Sequence, residues 1–239
     1  MSEYLGEDLI LATGAPGSGW SGSLRTISFA NEINNSDVNP ESIYNGPSKK
    51  GHHYGAYFGP YEKYGEKFPK LNKLTKGEIV AEFKKPYREF GGVKIIKSHQ
   101  FAYHLDHLAL LLPKARFACF FRETDELTFD WWHKCGGWNI THPRYEWYEN
   151  DRRMKRQIAV ENRSIRKFAT ERGMRVFNAV FDTSIIFSSL GLTFTKDSVK
   201  EAPVGSRALF ANLTAEERYY KVRFGTTLNN DPYLYVAVL

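Results

Sequence analysis

The chain has 239 residues, 42% of them apolar and 15% aromatic, with a formal net charge of +6. Those totals fit a globular protein of one α/β domain, with modest insertions at most. They exclude a helical membrane span, since no apolar run approaches ~20 residues, and a disulfide framework, since Cys119 and Cys135 are the only cysteines. In chain order, DLILAT (8–13) reads as a short buried strand. SGSLRTISFANEIN (21–34) reads as a helix, with Leu24, Ile27 and Ala30 or Phe29 at roughly helical spacing. Residues 35–77 are crowded with Gly, Pro, Asn, Tyr and Lys and read as a long functional loop inserted into the domain. A short helix around Lys76–Phe83 follows. VKIIKSH (93–99) is a second buried strand, and YHLDHLALLL a helix stopped by Pro113. ARFACFF (115–121) is a third strand, and TDELTFDWWHK a helix with Thr124 as N-cap. The amphipathic IAVENRSIRKFATER ends at Gly173, and MRVFNAV is a fourth strand. From about Asp182 the pattern is mixed and yields no elements. The alternation predicts an α/β fold: a mainly parallel central sheet flanked by helices on both faces, in a single domain over 1–239. The acidic start, MSEYLGEDLILATG, lacks the basic residues of a secretory signal, so a cytoplasmic protein with no membrane partner is expected.

LATGAPGSGWSG (11–22) lies between the first strand and the first helix. Gly14, Gly19 and Ser21 match the phosphate-loop pattern G-x-x-x-x-G-K-[ST], except that Trp20 takes the lysine position. Such a loop works mainly through its backbone. Glycines let successive N–H groups turn inward, and the following helix adds its N-terminal dipole. Ser18 and Ser21 add hydroxyl donors. Lysine would contribute charge against β- and γ-phosphates, so its absence argues against triphosphate hydrolysis.

Three segments together resemble the sulfotransferases that use 3′-phosphoadenosine 5′-phosphosulfate (PAPS). TGAPGSGWS resembles their 5′-phosphosulfate loop, T-x-P-K-S-G, with Thr13, Pro16, Ser18 and Gly19 in register and Gly17 in the lysine position. KIIKSH resembles their strand ending in Lys-Thr-His. LLLPKARFACFFRETDELTFDWWH resembles their Leu-Pro segment, apolar strand and Arg-Asn-Pro helix start. The order and spacing of the three agree over roughly the first 135 residues, and the short chain is similar to phage and bacterial members. The resemblance implies a P-loop-like nucleotide-binding fold. It implies transfer of a sulfuryl group from PAPS to a hydroxyl or amine, with adenosine 3′,5′-bisphosphate (PAP) as product and no metal.

By the same resemblance, His99 is the catalytic base and Lys97 neutralises charge on the transferring group. As strand residues two apart, both would point to one face. Pro16, Gly17, Ser18, Gly19, Trp20 and Ser21 would hold the 5′-phosphosulfate end, and a lysine restored at Gly17 would raise activity. Trp20 would either stack on adenine or pack under the first helix. Arg122, at a strand end, would bind the 3′-phosphate. The family's serine eight residues later is Asp130 here, leaving Thr128 as a replacement, and KVRFG, with Lys221 and Arg223, is a loose substitute for a late Arg-Lys-Gly segment. His52, His53, Tyr54, Tyr57, Phe58, Tyr61 and Tyr64 would cover the acceptor, whether small molecule, carbohydrate or protein. His104 and His107 fall short of a zinc site, so no metal is expected. Two other classes compete: a P-loop kinase or nucleotidase with an altered loop, and a basic nucleic-acid-binding or assembly protein without catalysis, although no nucleic-acid module is recognisable.

Overall fold

The computed structural model describes residues 8–28, 30–34, 36–42, 56–134, 145–178, 183–193 and 234–239. Its strands are β1 (Leu9–Gly14), β2 (Lys94–Lys97), β3 (Arg116–Arg122), β4 (Arg175–Asn178) and β5 (Leu234–Val238). They form one sheet in the order β2-β1-β3-β5-β4. β1 lies between β2 and β3 and is parallel to both, whereas β5 is antiparallel to both β3 and β4. Four strands therefore point one way and β5 the other. The protein is α/β with a mixed sheet, mostly but not wholly parallel, and the reversed strand comes from the stretch beyond Asp182 that carries no legible pattern.

The helices are α1 (Trp20–Ile27), α2 (Lys76–Lys84), α3 (Leu105–Leu111), α4 (Asp125–Lys134), α5 (Asp151–Glu171) and α6 (Thr183–Ser189). Period-two alternation along the strands sorts the core into two faces. Leu9, Leu11, Ile96, Phe117 and Cys119 share a cluster with Ile165 and Phe168 of α5. Ile10, Ala12, Ala118, Phe120 and Val236 pack with Leu24 and Ile27 of α1 and with Ile186 and Phe187 of α6. Helices thus cover both faces, as the alternation predicts.

Local chemistry fixes the helix ends. The side chain of Asn150 accepts from Arg153 N at the start of α5, and Gly173 (φ +61) follows its end. Thr124 Oγ1 accepts from Leu127 N over 3.1 Å, the N-cap expected for α4. The stretch read as an insertion is in part core: Phe58 stacks on Phe68, and both meet Phe83 edge-on. No helix among the described residues is long and apolar enough to cross a membrane. Cys119 is buried in β3, and burial pushes its thiol up to about 12; Cys135 lies outside the described residues.

Candidate active site

β1, β2 and β3 end side by side, with Ala12 paired to Lys97 and Gly14 to Phe120. The crevice beyond the carboxyl ends of parallel strands is where open α/β sheets bind ligands. The loop that leaves β1 there is a built object. Ser18 N donates to Ala15 O over 2.9 Å, closing a turn with Pro16 and then Gly17 at φ +84, the residue order of a type II turn. Gly19 is also left-handed (φ +79), and α1 begins at the next residue. The N–H groups of a first helical turn have no partner within their helix, so they are oriented to meet an anion.

Two glycines of this loop have no room for a side chain. A Cβ on Gly17 would stand 2.0 Å from Thr128 O and 2.8 Å from Trp132 Cβ. One on Gly14 would meet Ser18 Oγ at 2.6 Å and Trp20 Cβ at 2.8 Å. A lysine at Gly17 therefore collides with the backbone of α4, and the expectation of a gain from restoring it there is corrected. Ser18 and Thr13 are fully buried, yet Ser18 Oγ and Thr13 Oγ1 have no hydrogen-bond partner among the described residues. A buried hydroxyl without a partner costs stability, and two beside one loop call for a reason.

Arg122 and Thr128, the residues expected at the 3′-phosphate, both make contacts inside the protein. Arg122 is 1% exposed; its Nε donates to Gly17 O over 2.8 Å, and its guanidinium lies 4.4 Å over the Trp131 ring. Arg166 Nη2 donates to the Arg122 carbonyl over 2.6 Å, holding the strand end itself. Thr128 is buried in the seam between α4 and α5, donating to Thr124 O and accepting from Asn162 Nδ2. Both residues brace the loop and its neighbours. Asp130 is exposed on α4.

Lys97 is the last residue of β2, in register with Ala12 and so on the α1 face of the sheet. Burial pulls its ammonium down to about 7. His99 lies beyond the strand, in a 3-10 turn over His99–Tyr103 whose N-cap, Ser98, accepts from Gln100 N. Strand alternation therefore does not relate His99 to Lys97. His99 is buried among aromatic rings: Trp20 at 4.8 Å, Trp147 at 5.7 Å and Tyr57 at 6.0 Å, all edge-on. Its Nδ1 lies 3.2 Å from Glu161 Oε2, within hydrogen-bond distance. Of Trp20's two expected roles, the geometry gives packing beneath α1: at 3% exposed, among Leu24 and Ile27, it offers no open face to adenine.

Glu161 is 0% exposed. Its Oε1 accepts from Gln157 Nε2 at 2.6 Å and from the Tyr103 hydroxyl at 3.4 Å, and Gln157 also bonds Tyr103. Burial and the neighbouring Glu161 push the Tyr103 hydroxyl well up, so it stays protonated as a donor. Sequence reasoning missed these residues, because it read this helix only as amphipathic. The signal was there: Met154, Ile158, Ile165 and Phe168 form a helical stripe, and Glu161 stands on that stripe between them.

Of the residues expected over the acceptor, Tyr57 reaches His99, Phe58 joins the core, Tyr64 bonds Ser42, and Tyr61 is exposed. His104 Nε2 donates to Pro69 O over 3.3 Å. His52, His53, Tyr54, Lys221 and Arg223, and the side chain of Ser21, lie outside the described residues. Comparison with known protein families, with curated proteins and with solved structures finds no match.

Proposed function

We propose that the protein is a PAPS-dependent sulfotransferase, built on a P-loop-like α/β scaffold, that moves a sulfuryl group to a hydroxyl or amine acceptor. The observation that carries this reading is the pair of unsatisfied buried hydroxyls, Thr13 and Ser18, at a glycine cradle opening a helix beside a carboxylate-bound histidine. The residues fit the phosphosulfate end of the donor. Loop and first-turn N–H groups donate to its oxygens, Ser18 donates a hydroxyl bond, and Lys97 supplies the charge that the loop lacks.

The reaction is an in-line displacement, so placement and charge compensation do most of the catalysis. The acceptor oxygen or nitrogen forms a bond to sulfur, and the bond from sulfur to the bridging phosphate oxygen breaks. The acceptor's proton passes to His99 Nε2, the ring nitrogen not held by Glu161. PAP departs with the bond's electron pair on its 5′-phosphate, and Lys97 offsets that charge. Transfer of labelled sulfate from PAPS to a panel of sugars, phenols and peptides tests the proposal. Turnover by the wild-type chain, lost in His99→Ala while PAP still binds, supports it; undiminished turnover in His99→Ala removes the base from His99.

A further inference from the structure

Glu161 is a charge in an unusual position. It comes from the middle of a 21-residue helix, is fully buried, and has no Lys or Arg partner among the described residues. Burying a carboxylate without a cation is expensive, and hydrogen bonds from Gln157 and Tyr103 offset only part of that cost. Among the described residues, the group in contact with Glu161 that can become a cation is the imidazole of His99. The rings of Trp20, Tyr57 and Trp147 surround that imidazole and lower the local dielectric, which strengthens any charge formed there against Glu161.

We propose that Glu161 is the positioning residue of this site: its carboxylate holds the proton on His99 Nδ1, so that Nε2 is the basic nitrogen, and it compensates the imidazolium formed as the acceptor is deprotonated. Gln157, one turn earlier on α5, and Tyr103, at the end of the turn that His99 opens, fix the second carboxylate oxygen. The carboxylate therefore cannot rotate away from the ring without breaking two further bonds. Nδ1 is tied to a helix on one side of the sheet edge and the ring is packed against Trp20 of α1 on the other. The inference rests on the sulfotransferase reading for its catalytic half, whereas the tautomer is a property of the resting protein.

Glu161→Gln keeps volume and shape but removes the charge, and its amide donates to Nδ1, which favours a proton on Nε2. The experiment records the ring 15N and 13C resonances of His99 in the full chain, assigned by comparison with His99→Ala, together with turnover and PAP affinity. The wild type is expected to show the Nδ1–H form and Glu161→Gln the Nε2–H form. Its kcat should fall about 100- to 10,000-fold, the range for loss of a general base's correct tautomer, with PAP affinity within about twofold. Glu161→Asp, which retains the charge, should restore the Nδ1–H form and part of kcat. An Nε2–H form in the wild type, an unchanged tautomer in Glu161→Gln, or turnover in that variant within about threefold of wild type would overturn the proposal. A wild-type chain that holds the Nδ1–H form but transfers no sulfate defeats the catalytic half through the function reading, and the resonances alone then decide the lock.

Discussion

Arg122 Nε donates to the carbonyl of Gly17 over 2.8 Å, so the end of β3 holds the loop that follows β1. The guanidinium lies against Trp131 with 1% of the residue exposed. A residue so enclosed acts on a ligand by shaping the loop. Arg122→Ala should therefore weaken PAP and adenosine 5′-phosphosulfate by similar factors, about tenfold or more, as expected for a lost charge-assisted bond. Calorimetry with the two ligands checks this. A loss confined to PAP would return Arg122 to the 3′-phosphate.

Gly17 is fixed twice, by a left-handed backbone and by the 2.0 Å approach of Thr128 O to the place of a Cβ. Gly17→Ala should cost about 2–4 kcal/mol, combining overpacking with backbone strain. Urea unfolding should show the midpoint falling at unchanged slope. Gly17→Lys should lose stability at least as severely and gain no activity. A more active lysine variant would refute the packing described for this turn.

The unsatisfied hydroxyls separate stability from binding. Removing a buried group that lacks a partner relieves a desolvation cost, so Ser18→Ala and Thr13→Val should leave the ligand-free protein as stable or about 1 kcal/mol more stable. Ser18→Ala should at the same time weaken PAP about tenfold, the worth of one hydrogen bond to a charged group. Thermal melts with and without PAP read both effects. Destabilisation with unchanged PAP affinity would make Ser18 a packing residue only.

Lys97 links the site to pH. Its folded value, about 7, lies below the ordinary lysine value of the unfolded chain. Between those two values the unfolded chain binds the extra proton, so stability should rise with pH from about 7 upward. A dianionic phosphate beside Lys97 favours the ammonium. PAP binding at pH 8 should therefore take up a proton, and affinity should fall as pH rises above 7. Calorimetry at pH 8 in buffers of different ionisation enthalpy measures that uptake, which Lys97→Met should abolish. Uptake that persists in Lys97→Met would assign the proton elsewhere.

Locally encoded features of this protein are legible in its sequence. The runs ending at Gly14, Lys97 and Arg122 are short apolar strands, and Thr124 and Gly173 are punctuation with a direct backbone cause. Features that depend on distant partners are not. β5 is a five-residue run whose place between β3 and β4 depends on pairing across the chain, as the register of Cys119 with Ala237 shows. His99 continues the strand in the sequence pattern, but Ser98 caps a new turn and swings it out. Arg122 and Thr128 look like phosphate ligands by position, and their contacts with Gly17 and Asn162 depend on partners far away in the chain. Glu161 is the residue that pattern alone could have found, since a carboxylate on the apolar stripe of α5 needs a partner.

The central claim is that the cradle between Gly14 and α1 binds the phosphate end of an adenosine bisphosphate. Titration calorimetry with PAP tests it without requiring the acceptor. The account predicts one site with micromolar affinity, a matching rise in Tm, and weakening by about tenfold in Ser18→Ala. No heat and no shift in Tm at millimolar PAP would contradict it.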